Sequence, residues 1–235
     1  MNLKLFISDL DGTILETEDY HRLAYNALFN ELGLKQTWSK QDYVARLQTM
    51  GGNKFREIFE WMKLPEDEYR ETKVQLYQRK TELYVELITR DLGNGTLGLR
   101  PGIVRFFTEV MEAGIPTAIA TACVGWAAEK VVEAALGEQF LDSLAAFCGG
   151  ESTPRHKPAP DIYLLAAKRA SVPTSACAVL EDTSHGMRAA KDAGMICVVT
   201  PSEFAKDHDF THADLVLEDL ETPMPFTVEG MASLF

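Results

Sequence analysis

The amino-acid sequence predicts an α/β protein, a doubly wound parallel sheet with an α-helical segment inserted after its first strand. Three observations predict it. Short apolar runs alternate with helix-patterned segments along most of the chain, as βαβ crossovers require. Between about residues 16 and 90 that alternation stops and only helical periodicity remains. Carboxylate pairs stand where two apolar runs end, at Asp9/Asp11 and Glu181/Asp182, the edge at which open parallel sheets place their ligands.

The first run, Leu3 to Ser8, reads as a buried parallel strand, since both faces of such a strand are covered. Further strands are expected at Ile115–Ala120, Ala145–Cys148, Cys177–Leu180 and Ile196–Val199, with a last short one at Leu215–Leu217. Helices are expected between them at Ile103–Ala113, Trp126–Leu136, Asp161–Ala170 and His185–Ala193, with Asp161 as the cap of the third.

In the insertion, Tyr20, Leu23, Ala24, Ala27, Leu28 and Leu32 share one helical face, and Gly33 is a natural stop. Phe55, Ile58, Phe59 and Met62 make a second face. Pro65 opens a third helix, whose later turns carry Leu76, Leu83, Leu87 and Ile88. Asn94-Gly95 and Gly98 mark the return to the sheet. Residues 1–15 and 91–235 are therefore expected to form the α/β core, and residues 16–90 a helical domain.

Composition bounds the function. The 235 residues are 46% hydrophobic and 25% charged, ordinary for a globular enzyme. Lys and Arg number 23 against 35 Asp and Glu, a net charge of −12, which argues against binding nucleic acid or an anionic membrane. Residues 16–90 hold 12 basic and 13 acidic side chains, so nearly all the negative charge lies elsewhere. No run approaches 18 apolar residues, and the N-terminus has no signal-peptide pattern. The expected location is the cytoplasm, or a chloroplast stroma behind a transit peptide absent from this chain. Cys123, Cys148, Cys177 and Cys197 sit in apolar runs and read as reduced core thiols. A monomer, or at most a weak dimer, is expected.

The chemistry sits at strand ends. In Asp9-Leu10-Asp11-Gly12-Thr13 the two carboxylates point the same way from an extended segment. Asp-Gly alone is a common turn, but carboxylates at the end of a buried strand are costly unless a cation offsets them. Oxygen-only ligation suits Mg²⁺ better than zinc. Thr121 ends the second run, where a hydroxyl and backbone N–H groups, including that of Ala122, hold a phosphate oxygen. Lys157 precedes a stiff Pro-Ala-Pro segment and supplies a fixed positive charge. Glu181-Asp182 ends the fourth strand.

Acidic pair, hydroxyl, lysine and acidic pair, in this order, resemble the four motifs of haloacid dehalogenase superfamily phosphotransferases. The resemblance covers the whole chain. It implies a Rossmann-like core and places the insertion where that superfamily carries a helical type-1 cap. More narrowly, the chain resembles the CbbY-type phosphatases of the Calvin cycle, which remove a phosphate from xylulose-1,5-bisphosphate, an inhibitor of Rubisco. The segments that carry this are Glu16-Thr17-Glu18, His21-Arg22, Gly51-Gly52, the run Arg79 to Tyr84, and Lys157 to Tyr163.

The resemblance implies a phosphoric monoester hydrolase acting on a small phosphorylated sugar. Asp9 is the implied nucleophile, forming an aspartyl-phosphate, and Asp11 the implied acid and base. Mg²⁺ is held by Asp9, the carbonyl of Asp11, and Asp182, with Glu181 acting through water. Lys157 and Thr121 bind the transferred phosphoryl group. Lys54, Arg56, Arg79 and Lys80, with the Gly51-Gly52 backbone, are the candidates for the second phosphate. Glu16 and His21 are expected to face sugar hydroxyls or the leaving group, and Tyr43 to pack against the sugar. Other readings of the same motifs are β-phosphoglucomutase, phosphoglycolate phosphatase and a broad sugar-phosphate phosphatase. A non-catalytic sugar-phosphate-binding module is disfavoured, since binding alone needs no nucleophile beside a second carboxylate.

Overall fold

The computed structural model describes residues 2–47 and 53–235. The chain divides into two compact units, Met1–Glu16 with Asn94–Phe235, and Thr17–Gly93.

The larger unit is built on a sheet whose six strands, among the described residues, are all parallel. They are β1 (Leu5–Ser8), β2 (Thr117–Ala120), β3 (Ala146–Cys148), β4 (Cys177–Glu181), β5 (Ile196–Val199) and β6 (Leu215–Val216), in the order β3-β2-β1-β4-β5-β6. Adjacent helices are α5 (Ile103–Glu112), α6 (Gly125–Leu136), α7 (Glu138–Asp142), α8 (Asp161–Arg169), α9 (Ser184–Asp192) and α10 (Val228–Ala232); α1 to α4 belong to the smaller unit. This is the expected α/β class.

Both faces of the sheet are covered, which explains its continuous apolar strands. Leu5, Ile7, Ala118, Ala120, Val179 and Val199 pack with Ile162, Tyr163 and Ala166 of α8 and Met187 and Ala190 of α9. Phe6, out of phase with its strand neighbours, meets Phe106 and Phe107 of α5 edge-on, with ring centroids 5.4 Å apart. Each such buried side chain contributes about 1.5–3 kcal/mol. Strand order reverses between β1 and β4, so Asp9 and Glu181-Asp182 leave the sheet at the switch point where ligands bind.

Boundaries shift for physical reasons. Strand β2 starts at Thr117, because Pro116 has no N–H for the ladder. Asp161 is the first residue inside α8 and pairs with Arg155 at 2.5 Å, while Pro160 holds the cap position.

The smaller unit contains α1 (Glu18–Glu31), α2 (Lys40–Leu47), α3 (Asn53–Met62) and α4 (Tyr69–Gly93). Helix α1 buries Tyr20, Ala24, Tyr25, Leu28 and Phe29, and α4 buries Leu76, Lys80, Leu83, Tyr84 and Ile88. A 3₁₀ turn, Glu66–Glu68, follows Pro65 and precedes α4, so the proline stands one element earlier than expected. Tyr25, Phe29, Trp38, Phe55 and Trp61 form an aromatic cluster, with centroid distances of 4.8 Å for Phe29–Trp38 and 4.9 Å for Tyr25–Trp38. Helix α2 is not predicted from the sequence. It carries a reciprocal cap, Ser39 N–H to Asp42 Oδ2 at 2.9 Å and Asp42 N–H to Ser39 Oγ at 3.2 Å. Among the described residues no helix is long and apolar enough to cross a membrane.

Candidate active site

The larger unit gathers its polar side chains at the ends of β1, β2 and β4. Strand β1 ends in Ser8, and the chain turns through Asp9-Leu10-Asp11-Gly12-Thr13. The turn closes with the Gly12 N–H donating to Leu15 O at 2.7 Å. Gly12 has φ +82°, and a Cβ there would stand 2.2 Å from Asp182 Oδ2, so only glycine lets the turn lie against Asp182.

Lys157 joins the three strand ends. Its Nζ donates to Asp9 Oδ1 at 2.6 Å, to Glu181 Oε1 at 2.6 Å and to Ala120 O at 3.1 Å. Glu181 is engaged at both oxygens. Oε1 also accepts from the Tyr163 hydroxyl at 2.5 Å, and Oε2 accepts the backbone N–H of Asp182 at 3.0 Å and of Thr183 at 3.2 Å. Helix α9 begins against this carboxylate: a Cβ on Gly186 would come 1.8 Å from Glu181 Oε1. Thr13 Oγ1 lies 3.3 Å from Asp9 Oδ2 and 3.2 Å from Asp182 Oδ1, between the two carboxylates.

Burial dominates the electrostatics. It raises the Asp9 carboxyl to about 7; Lys157 opposes that rise, and Glu181 and Asp11 add to it. Burial, then Glu181 and Asp9, push Asp182 well above the usual carboxylate range. Burial acts on Glu181 as well, but the charge and hydrogen bond of Lys157 outweigh it and hold that carboxyl below its ordinary value. The Lys157 ammonium is likewise held above its ordinary value, because Asp9 and Glu181 outweigh burial.

Asp9, Glu181 and Asp182 each offer an oxygen within 4.8 Å of the others, and all three are buried. One lysine beside three buried carboxylates leaves negative charge uncompensated. An all-oxygen donor set with surplus negative charge fits a hard divalent cation. With Glu181 occupied by Lys157, Tyr163 and two amides, Asp9 and Asp182 are the side chains suited to direct ligation. The Asp11 side chain is half-buried and outside this carboxylate cluster.

Thr121 is buried at the end of β2; its N–H donates to Cys148 O, and its Oγ1 accepts the Cys123 N–H at 3.0 Å. Ala122 beside it is exposed. Glu16 belongs to this unit, its carboxylate 3.4 Å from Arg100 Nε and accepting the Glu203 N–H at 3.3 Å.

In the smaller unit, Lys80 Nζ lies 2.6 Å from His21 Nδ1, and the imidazole stacks on Tyr84 with centroids 4.2 Å apart. Burial, then the charges of Lys80 and Lys54, hold His21 well below its ordinary pKa, so the ring is neutral and accepts from Lys80. Lys80 Nζ also sits 5.2 Å from the Tyr25 ring and 5.3 Å from the Tyr84 ring. Lys54 lies over Tyr43 at 5.1 Å, and the Tyr43 hydroxyl donates to Glu18 at 2.8 Å. Gly51 and Gly52 lie outside the described residues.

Two expected residues do not join this group. Arg56 pairs with Glu60 at 3.2 Å and Glu66 at 2.6 Å. Arg79 pairs with Glu31, Glu82 and Glu86 at 2.7, 3.0 and 2.9 Å. Both are surface guanidiniums paired with carboxylates, whereas Lys80 is buried beside His21 and Lys54 lies over Tyr43. Thr13 and Tyr163 join the site without being among the residues the sequence predicts for it. Thr13 follows the first acidic pair directly, and Tyr163 stands six residues after Lys157, on the α8 face that packs on the sheet.

Comparison with known proteins shows the family. The sequence profile of the haloacid dehalogenase-like hydrolases matches residues 3–194. Protein CbbY from a plasmid of Cupriavidus necator is 38% identical over 98% of this chain and 92% of its own length. Protein CbbY of Rhodobacter capsulatus is 36% identical over 94% of this chain and 95% of its own length. Among solved structures, a mutant CbbY from Rhodobacter sphaeroides in complex with xylulose-(1,5)bisphosphate is 30% identical, with a TM-score of 0.81 over 97% of this chain and 99% of that one. A sheet of this order, with this match along most of its length, places the chain in the haloacid dehalogenase-like hydrolase family.

Proposed function

We propose that the chain is a sugar-phosphate phosphatase working through a phosphorylated Asp9, with xylulose-1,5-bisphosphate as its substrate. The observation that carries the reading is Lys157 fixed between Asp9 and Glu181, beside Asp182 in a buried all-oxygen cluster. The likeness to CbbY proteins, one of them solved with xylulose-(1,5)bisphosphate, supports the choice of substrate.

Asp9 Oδ attacks phosphorus, and the sugar oxygen leaves with a proton from Asp11. Water then attacks the aspartyl-phosphate as Asp11 takes its proton back, which releases phosphate and restores Asp9. Lys157 keeps the nucleophile at one rotamer and offsets charge on the phosphoryl oxygens. The Thr121 hydroxyl and the Ala122 N–H orient those oxygens. Asp9, Asp182 and the carbonyl of Asp11 would hold Mg²⁺, with Glu181 behind them; bound there, the ion neutralises phosphoryl charge. His21, Lys54 and Lys80 bind the phosphate that is not transferred.

The test is phosphate release with Mg²⁺ from xylulose-1,5-bisphosphate, xylulose 5-phosphate, phosphoglycolate and β-glucose 1-phosphate. The bisphosphate should give the highest kcat/KM. Preference for a monophosphate, or conversion of β-glucose 1-phosphate to an isomer without phosphate release, would overturn the substrate assignment.

A further inference from the structure

Arg100 stands where the chain re-enters the larger unit after the helical insertion. Its backbone N–H donates to Ile14 O at 2.9 Å, and its neighbour Leu99 pairs with Leu15 in an antiparallel bridge. The side chain is 9% exposed, yet it points at backbone rather than at a single carboxylate. Nη1 donates to the Gly12 carbonyl and to the Thr200 carbonyl, the latter at 2.7 Å, and lies 3.2 Å from Thr200 Oγ1. Nη2 donates to Pro201 O at 2.9 Å. Nε faces Glu16 Oε1 at 3.4 Å.

The carbonyls it holds lead straight to the site. The Gly12 carbonyl belongs to the peptide that joins Gly12 to Thr13. That peptide follows Asp11 and leads into Thr13, whose hydroxyl stands between Asp9 and Asp182. Thr200 and Pro201 open the loop after β5. The Thr200 N–H donates to Glu181 O at 2.8 Å, and Ser202 hydrogen-bonds Asp182. One guanidinium therefore fastens the Asp11–Thr13 turn to the segment behind both members of the second acidic pair. Reaching several carbonyls in different directions needs the planar fork of arginine; an ammonium has three donors on one point.

The geometry points to Arg100 as a positioning residue for the Asp11–Gly12–Thr13 turn, setting where Asp11 delivers its proton. This rests on the proposed role of Asp11 as acid and base. Arg100 touches no reacting atom. Losing it frees the Gly12–Thr13 peptide to rotate, and a displacement of about 1 Å at a proton donor costs on the order of 100-fold in rate.

The experiment compares wild type, Arg100→Lys, Arg100→Ala and Asp11→Asn, each with its thermal unfolding profile. The readout is kcat/KM for xylulose-1,5-bisphosphate, whose alkoxide needs a proton to leave, and for p-nitrophenyl phosphate, whose phenolate does not. This ratio reports steps up to departure of the leaving group, so the later hydrolysis of the phospho-enzyme does not enter it. Folded Arg100→Lys should lose about 10- to 100-fold on the sugar phosphate and under about 3-fold on the aryl phosphate. Millimolar guanidinium should restore part of the loss in Arg100→Ala. Folded Arg100→Lys with wild-type activity on both substrates, or with equal losses on both, overturns the inference. Asp11→Asn keeps the two readings apart. If it retains sugar-phosphate hydrolysis, the role of Asp11 fails; if it is inactive while Arg100→Lys behaves as wild type, only the role of Arg100 fails.

Discussion

Glu181 holds Lys157 as closely as Asp9 does: the lysine Nζ is 2.6 Å from Glu181 Oε1 and 2.6 Å from Asp9 Oδ1. The lysine is thus fixed from behind by the last residue of β4, and the nucleophile inherits that rigidity. Tyr163 and the amides of Asp182 and Thr183 in turn fix Glu181.

Glu181→Gln keeps the shape of this arrangement and removes its charge. A hydrogen bond to a charged group contributes about 1.5–3 kcal/mol, and the folded protein should lose an amount in that range. Urea denaturation measures it, with kcat falling at least about 10-fold as Lys157 shifts. A stability change under about 0.5 kcal/mol would show that Glu181 does not anchor the lysine.

The pH dependence follows from the raised carboxyls. Burial lifts Asp9 to about 7 and Asp182 well above the usual range, whereas in the unfolded chain both return to about 4. Between roughly pH 4 and 7 the cation-free folded state therefore binds more protons than the unfolded state at these groups. Their contribution to stability is present below pH 4 and declines as pH rises through that window. Glu181, held low, contributes in the opposite sense at the acid end. Mg²⁺ needs Asp9 and Asp182 ionised, so protons compete with it. The rise in Tm on adding Mg²⁺ should grow from pH 5 to pH 8. A shift independent of pH would contradict the assignment of these carboxylates as ligands.

The helical unit yields a prediction that separates buried from exposed cations. Lys80→Met removes the charge beside His21, and kcat/KM for xylulose-1,5-bisphosphate should fall about 10- to 100-fold, the equivalent of 1.5–3 kcal/mol. Xylulose 5-phosphate should be affected far less. Arg79→Ala and Arg56→Ala remove surface pairs and should change either reaction less than about 3-fold. Equal losses on both substrates from Lys80→Met, or a large selective loss from Arg79→Ala, would reverse the choice between these residues.

Where the sequence was legible, it was because chemistry and pattern coincide. Strand β5 lies in the short apolar run that begins at Met195 and is closed by Thr200-Pro201, and its ends are those expected. The ends of β1 and β4 declare themselves by carboxylates that a buried strand does not otherwise tolerate. Helix α2 was not legible because, of KQDYVARL, Tyr43 alone is deeply buried among the side chains described, leaving no apolar stripe; its Ser39–Asp42 cap was the available signal. Arg79 and Lys80 are adjacent on one helix and equal in charge, and only their surroundings, carboxylate-lined surface and aromatic interior, set them apart. Arg100 gave no signal, since most of its partners are backbone carbonyls, which every residue possesses.

If Asp9 carries the phosphoryl group, the trapped enzyme itself must show it. Wild-type enzyme quenched in acid during turnover of xylulose-1,5-bisphosphate with Mg²⁺ is digested and its peptides are weighed. One added phosphoryl group should map to Asp9, and a folded Asp9→Asn protein should carry none and release no phosphate. Phosphate release at the wild-type rate from folded Asp9→Asn would contradict it.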